Sequence, residues 1–119
     1  MFVNVSNHPS ELWLDKQKEC ASCYGSIVDV AFPAIHKDYD SSKYDELVEL
    51  YYERIMGICP DVVMVQGEFV FTYRLVGKLK ESGIRVVSAR SERVCQEYKD
   101  ENNVIHKHSI FEFIDFVDY

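Results

Sequence analysis

Short apolar segments alternate with helix-like segments along most of the chain, and this alternation limits the fold more than any other feature. The apolar segments are typical of β-strands and comprise residues 2–5, 26–32, 61–66 and 84–89. Between them, apolar residues recur at helical spacing, most clearly at Tyr44, Leu47, Val48, Tyr51 and Ile55. Strands joined through helices run parallel, with right-handed crossovers. We therefore predict an α/β fold with a single Rossmann-like, open, mostly parallel sheet and helices on both faces.

The C-terminal part departs from this alternation. Residues 94–98 and 104–110 flank the polar sequence Lys-Asp-Glu-Asn-Asn, which predicts a β-hairpin. The tail, residues 111–119, fits a strand and a short helix equally well.

Length and charge limit the kinds of partner. The chain has 119 residues, which corresponds to a single domain, residues 1–119. Its 13 Lys and Arg against 20 Asp and Glu give a net charge of −7, which repels the phosphate backbone of bulk DNA or RNA. A small anion in a local pocket remains compatible with that charge. No apolar run is long enough to span a membrane and no secretory segment follows Met1, so we expect a cytoplasmic protein.

The cysteines do not form a complete metal-binding pattern. Cys20 and Cys23 have C-x-x-C spacing, but Cys59 and Cys95 stand alone. The pair also falls at the end of a predicted helix, whereas a thioredoxin-type motif opens one. We expect reduced, buried or half-buried thiols, with no metal and no cofactor.

Polar segments follow three of the predicted strands, at the edge of the sheet where ligands of open α/β proteins bind. In the first, Ser6, Asn7 and Ser10 are candidates to bind an anion beside a helix N-terminus, with Ser10 as the N-cap. The alternative is ordinary capping and turn chemistry. His8 is either a general acid or base or a hydrogen-bonding bystander.

The second polar segment is Gln66-Gly67-Glu68. Gly67 allows either the close approach of a ligand or a tight strand-to-helix turn. Glu68 and Thr72 then open a helix, where Glu68 either accepts hydrogen bonds from a ribose or base edge or simply interacts with the helix dipole.

The third segment, Arg90-Ser91-Glu92-Arg93, is predicted to follow the fourth strand as a turn. Its two arginines and Ser91 can bind phosphate oxygens, Arg with bidentate geometry. Equally, Arg93 can pair with Glu92 or with another carboxylate of this acidic chain.

These segments resemble the small, stand-alone CRISPR-associated proteins with a Rossmann-like CARF fold. The resemblance covers most of the chain and is carried by residues 3–10, 66–76, 83–87 and 91–93. It implies a homodimer that binds cyclic oligoadenylate, the second messenger of type III CRISPR defence, across the dimer axis. The smallest such proteins resemble ring nucleases that degrade this messenger, although binding is better supported here than cleavage.

The resemblance implies a metal-independent mechanism in which a ribose 2′-hydroxyl attacks the adjacent phosphate. Arg90 or Arg93 would stabilise the charge on the phosphorane, and His8 would move a proton. The residues expected to hold the ligand are Ser6, Asn7, Ser10, Gln66, Gly67, Glu68, Thr72 and Ser91. The alternatives are a non-catalytic sensor or sequestering module, and a nucleoside-processing enzyme in which Glu68 is the nucleophile or base.

Overall fold

A five-stranded sheet forms the centre of the computed structural model, which describes residues 1–119. The strands are β1 (Phe2–Ser6), β2 (Ile27–Ala31), β3 (Val62–Val65), β4 (Arg85–Lys99) and β5 (Ile105–Asp118). The helices are α1 (Asp15–Ser22), α2 (Ser41–Gly57) and α3 (Phe69–Glu81). The strand order is β2-β1-β3-β4-β5; β1 to β4 run parallel, and β5 is antiparallel to β4. The predicted fold class and hairpin are confirmed.

Both faces of the central strands are buried, which explains their uninterrupted apolar sequences. On one face, Val63 and Val65 of β3 join the larger core, which contains apolar residues of α2 and α3. On the other face, Val62 and Met64 pack in a smaller core with α1. We call these the α3 face and the α1 face of the sheet. No helix has the combination of length and apolar character needed to cross a bilayer.

The chain after β1 differs from the prediction. Ser10 was expected to cap α1, but residues Ser10–Leu12 form a 3₁₀ turn whose N-cap is Pro9, and α1 begins only at Asp15. The physical reason is that the amide and hydroxyl of Ser10 both donate hydrogen bonds to Asp29 on β2. The Ser10 side chain is therefore unavailable as a cap, and its predicted N-cap role is wrong.

Gly67 is required by packing within the protein. A Cβ atom at this position would lie 2.4 Å from the ring of Phe32, which follows β2. That ring in turn packs edge-on against Phe71 of α3, with 5.2 Å between ring centroids. The close approach that Gly67 permits is thus the approach of Phe32 to the turn between β3 and α3.

The predicted turn at residues 90–93 is also wrong, because β4 continues through it without interruption. Its partner β5 pairs with it along this whole length, so the backbone groups that a turn would expose form a ladder instead. Arg90 pairs with Asp115 and Ser91 with Phe113, which leaves one extra residue, Ile114, in β5 as a bulge. The tail, for which the sequence fitted a strand and a short helix equally well, is part of strand β5 as far as Asp118.

Beyond Ser91 the hairpin projects from the sheet, because β3 pairs with β4 only as far as Val87. The turn at its tip is closed by Asp100, whose carboxylate accepts hydrogen bonds from the amides of Asn102 and Val104. The hydrogen bond with His106, followed by that from Val104, lowers the pKa of Asp100. The projecting hairpin, residues 91–111, is called the arm below; it contributes to a radius of gyration of 17.5 Å, against about 13.5 Å for a compact domain of this length.

We predict that Gly67→Ala destabilises the protein by about 1–3 kcal/mol, because the new methyl group overlaps Phe32. Gly77→Ala is the matched control, since a Cβ at Gly77 meets nothing within 4 Å and an Ala inside α3 should add about 0.5–1 kcal/mol. Urea unfolding measures both free energies. Equal effects of the two substitutions would contradict the packing role of Gly67.

Candidate functional site

A cleft opens at the topological switch point of the sheet, where the connections from β1 and β3 diverge. Its volume is about 490 Å³, and it lies on the α1 face at the base of the arm. Its polar lining residues are Ser6, His8, Gln17, Gln66 and Ser91. Its apolar lining residues are Leu12, Trp13, Leu14, Met64, Ala89, Phe111 and Phe113. We call it the switch-point cleft.

The lining of this cleft contains no Asp, Glu, Lys or Arg, although the chain as a whole carries a net charge of −7. Hydroxyl, amide and imidazole groups face aromatic and aliphatic walls. Phe111, 68% exposed, leaves much of its ring free to contact a ligand. Apolar walls with a few polar groups are typical of sites for small molecules, and aromatic rings stack on nucleobases. The cleft therefore suits an uncharged planar group such as a base.

A partly buried hydrogen-bond network holds the loop after β1. The side-chain amide of Asn4 donates to Asp29 Oδ1 and to the carbonyl oxygen of His8, both at 2.9 Å. Ser6 Oγ donates to Asn4 Oδ1 at 2.7 Å and accepts from the His8 amide at 3.2 Å. Trp13 Nε1 donates to the same His8 carbonyl at 3.1 Å. The backbone of His8 is thus fixed from three sides, while the residue itself is exposed at the cleft.

The predicted anion site beside Ser10 is already occupied by a carboxylate of the protein. Asp29 accepts hydrogen bonds from the Ser10 amide at 3.2 Å and from its hydroxyl at 3.0 Å. A ligand phosphate there would meet a negative charge. Asn7 also lies outside the switch-point cleft, in a shallow depression beside Phe32 and Glu68.

Gln66 lies in the cleft, but its side-chain amide is hydrogen-bonded to the protein backbone. Its Nε2 donates to the Ala89 carbonyl at 3.2 Å, and its Oε1 accepts from the Ala89 amide at 3.0 Å. This side chain continues the pairing of β3 with β4 beyond the last backbone pair, Met64 with Val87. Gln66 therefore holds the base of the arm against the sheet.

Glu68 is the N-cap of α3. Its two carboxylate oxygens accept hydrogen bonds from the amides of Val70 at 2.7 Å and Phe71 at 3.0 Å. These bonds satisfy amides that a helix start would otherwise offer to an anion, and they engage both oxygens that a nucleophile or base would use. Burial, and secondarily the neighbouring Glu68 carboxylate, raises the pKa of Tyr44.

The predicted ligand-binding residues are divided between the two faces of the sheet. Gly67 and Thr72 line a second cleft of about 500 Å³ on the α3 face, which Gln66 also reaches. The Thr72 hydroxyl is buried there without a hydrogen-bond partner. Ser6, His8, Gln66 and Ser91 are the predicted residues that the structure brings together in the switch-point cleft.

The two arginines occupy opposite faces of the arm. Ala89 and Ser91 line the cleft, so Arg90 between them points to the other face, where Asp115 binds its guanidinium at 3.0 and 2.9 Å. Arg93 pairs across the ladder with Phe111 and therefore shares the face of the cleft. Its guanidinium donates a hydrogen bond to Ser109 Oγ at 3.1 Å. Arg93 is thus the arginine placed next to the cleft.

Sequence reasoning missed Asn4, Asp29 and Trp13. Asn4 and Asp29 each interrupt a strand of apolar residues, and in β1, which is covered on both faces, a polar residue such as Asn4 is a signal that it binds a partner within the protein. Trp13 precedes α1 and packs in the smaller core.

The cysteines and other potential metal ligands do not cluster. All four thiols are free; Cys20 is half-buried, as expected, whereas Cys23, Cys59 and Cys95 are exposed, so the expectation of buried or half-buried thiols is wrong for these three. No group of three or more His, Cys, Asp or Glu side chains has an arrangement that could hold a metal ion.

A larger groove, of about 810 Å³, separates α2 and α3 away from the strand ends. Its lining contains three acidic and three basic side chains, and four of these six form ion pairs: Arg74 binds Asp45 at 3.0 Å, and Lys78 binds Glu49. The hydrogen bond with Glu49 raises the pKa of Lys78. We regard it as a polar surface groove, because its charged groups neutralise each other.

A family model described as "Uncharacterized protein MJ1673 family" matches residues 1–117. No curated protein matches the chain. The matched range includes the loop after β1, the switch-point cleft and the whole arm.

We predict that Asn4→Ala lowers the free energy of unfolding by about 1–3 kcal/mol, because it removes the donor to Asp29 and the acceptor for Ser6 inside the protein. Asn7→Ala is the matched control; this exposed residue should change stability by less than about 0.5 kcal/mol. Thermal or urea unfolding compares them. A network role for Asn4 is excluded if the two variants unfold alike.

Proposed function

This chain belongs to the uncharacterized protein MJ1673 family, and from its cleft we propose that it binds a cyclic oligoadenylate and cleaves it without a metal ion. The observation that carries the proposal is the uncharged, aromatic switch-point cleft with Arg93 beside it, in an otherwise acidic protein. This arrangement offers one place for a base and an adjacent place for a phosphate. The resemblance to stand-alone CARF proteins supports the same ligand.

The base of one adenylate unit would enter the cleft. Phe111 offers an exposed ring for stacking, and Ser91 supplies a hydroxyl group that can donate or accept hydrogen bonds, whereas the hydroxyl of Ser6 already donates to Asn4. Bulk nucleic acid remains disfavoured by the net charge of −7, whereas a compact ligand meets only the uncharged cleft and Arg93.

Cleavage would use a nucleophile that belongs to the ligand. The ribose 2′-oxygen forms a bond to phosphorus while the bond from phosphorus to the 5′-oxygen breaks, which leaves a 2′,3′-cyclic phosphate and a 5′-hydroxyl. The 2′-hydroxyl loses a proton and the departing 5′-oxygen gains one, and His8, which lines the cleft, would move one of these protons. Arg93 would stabilise the added negative charge on the phosphate oxygens. Destroying the messenger would end type III CRISPR signalling.

Binding without cleavage is the second candidate. The lining of the cleft contains a single titratable side chain, His8, so one copy cannot supply both a general base and a general acid from that lining. A sensor or sequestering module needs neither. The nucleoside-processing alternative has less support, because Glu68 caps α3 with both carboxylate oxygens.

We expect the purified protein to bind cyclic tetra- or hexa-adenylate and to convert it to a linear product with a cyclic phosphate end in the presence of EDTA. Calorimetry measures binding, and chromatography with mass detection measures the product. Intact ligand that co-elutes with the protein would favour the sensor. Neither binding nor cleavage of either ring would overturn the proposal.

We predict that Arg93→Ala weakens binding about 10–100-fold, the effect of losing a hydrogen bond between charged groups. Arg90→Ala removes the same charge from the opposite face of the arm and should change the dissociation constant less than about threefold, as should Arg54→Ala on the exposed end of α2. His8→Ala should slow cleavage more than it weakens binding. Equal losses in the Arg93 and Arg54 variants would show that only net charge matters.

A further inference from the structure

β5 is an edge strand with an unusually long free side. The sheet ends at β5, which pairs only with β4 and runs for 14 residues without a proline. Its outer edge therefore presents a row of unpaired backbone amides and carbonyls, which is a template for another strand. In the arm, β4 has no other partner either, and a hairpin of two strands alone is only marginally stable in water. Something must cover this edge.

The charges along β5 indicate what covers it. The first half carries His106, Lys107 and His108 and no acidic residue, whereas the second half carries Glu112, Asp115 and Asp118 and no basic residue. Two copies of β5 in antiparallel orientation direct the basic half of each toward the acidic half of the other. A parallel arrangement would place like charges together. The strand is thus complementary to itself about a two-fold axis.

We propose that two copies of the chain pair their β5 strands antiparallel along Ile105–Phe113, about a two-fold axis at Ser109, and form one continuous ten-stranded sheet. The bulge at Ile114 limits the regular part of the strand at one end and the hairpin turn limits it at the other, so Ser109 is its centre. In this register, His106, which also bonds to Asp100 of its own chain, lies opposite Glu112 of the partner subunit, whereas Asp115 and Asp118 lie beyond the paired segment. A closed two-fold contact of this kind uses the same surface on both copies.

This interface also determines where the switch-point clefts of the two copies lie relative to the two-fold axis. Phe111 and Phe113 line the switch-point cleft and lie on the paired segment of β5. A two-fold axis perpendicular to the joined sheet brings both clefts to the same face, on either side of the axis. A ring with two-fold symmetry could then span them, and this step alone rests on the proposed function. The pairing of β5 is argued without any ligand.

The test is chemical cross-linking of single-cysteine variants with no nucleotide present. In a background with Cys20, Cys23, Cys59 and Cys95 changed to Ser, Ser109→Cys places two thiols next to each other across the axis. In a dimer of the Lys107→Cys variant, and likewise of the Phe111→Cys variant, the two thiols lie about 13 Å apart. Position 107 of one copy instead lies opposite position 111 of the partner copy. We expect a bis-maleimide shorter than about 10 Å to link Ser109→Cys, and to link the Lys107→Cys and Phe111→Cys variants mainly when they are mixed.

Light scattering of the unmodified protein should give twice the 13.9 kDa mass of the chain. Tyr73→Cys on α3, far from β5 in the sequence and highly exposed, is the matched control and should not cross-link. A monomeric mass, or faster linking at position 73, 107 or 111 than at 109, would overturn the interface. A dimer linked at 109 that binds no cyclic oligoadenylate would retain the interface and reject the proposed function.

Discussion

The burial of β1 on both of its faces is the constraint on which the rest of the structure depends. All five residues of this strand are buried, between the larger core with α2 and α3 and the smaller core with α1. Because both faces are covered, β1 must lie inside the sheet, with β2 on one side and β3 on the other. The connections therefore diverge from β1, and the switch-point cleft forms where they do.

The same burial makes the polar residues of β1 informative. Asn4 and Ser6 face the α1 side of the sheet and are almost completely buried, so they bind each other, Asp29 and the backbone of His8. The hydrogen bonds that satisfy Asn4 and Ser6 thereby also position the loop beside the cleft. These hydrogen bonds hold the backbone of His8 in place.

The hairpin of β4 and β5 determines where the two arginines lie relative to the switch-point cleft. Since β5 pairs with β4 beyond the sheet, the segment with the two arginines is a rigid strand, and alternation along it sends Arg90 and Arg93 to opposite faces. Asp115 neutralises the first, whereas the second lies on the face of the cleft. The acidic net charge and a site for a compact anionic ligand are compatible because the lining of the cleft contains no acidic residue.

Local patterns in the sequence determined the α/β class, the strands β1 to β3 and the helices, but not the full length of β4 or the strand in the tail, because apolar periodicity reflects only which faces are covered. They also determined that the polar segments after β1 and β3 lie at one edge of the sheet. Only the tertiary structure decided the roles of single residues there. Phe32 occupies the space beside Gly67, and the first amides of α3 bind Glu68. The backbone of residues 90–93 pairs with β5. Each role depends on a partner that is distant in sequence or on the exact start of an element, and such pairings leave no local pattern to read.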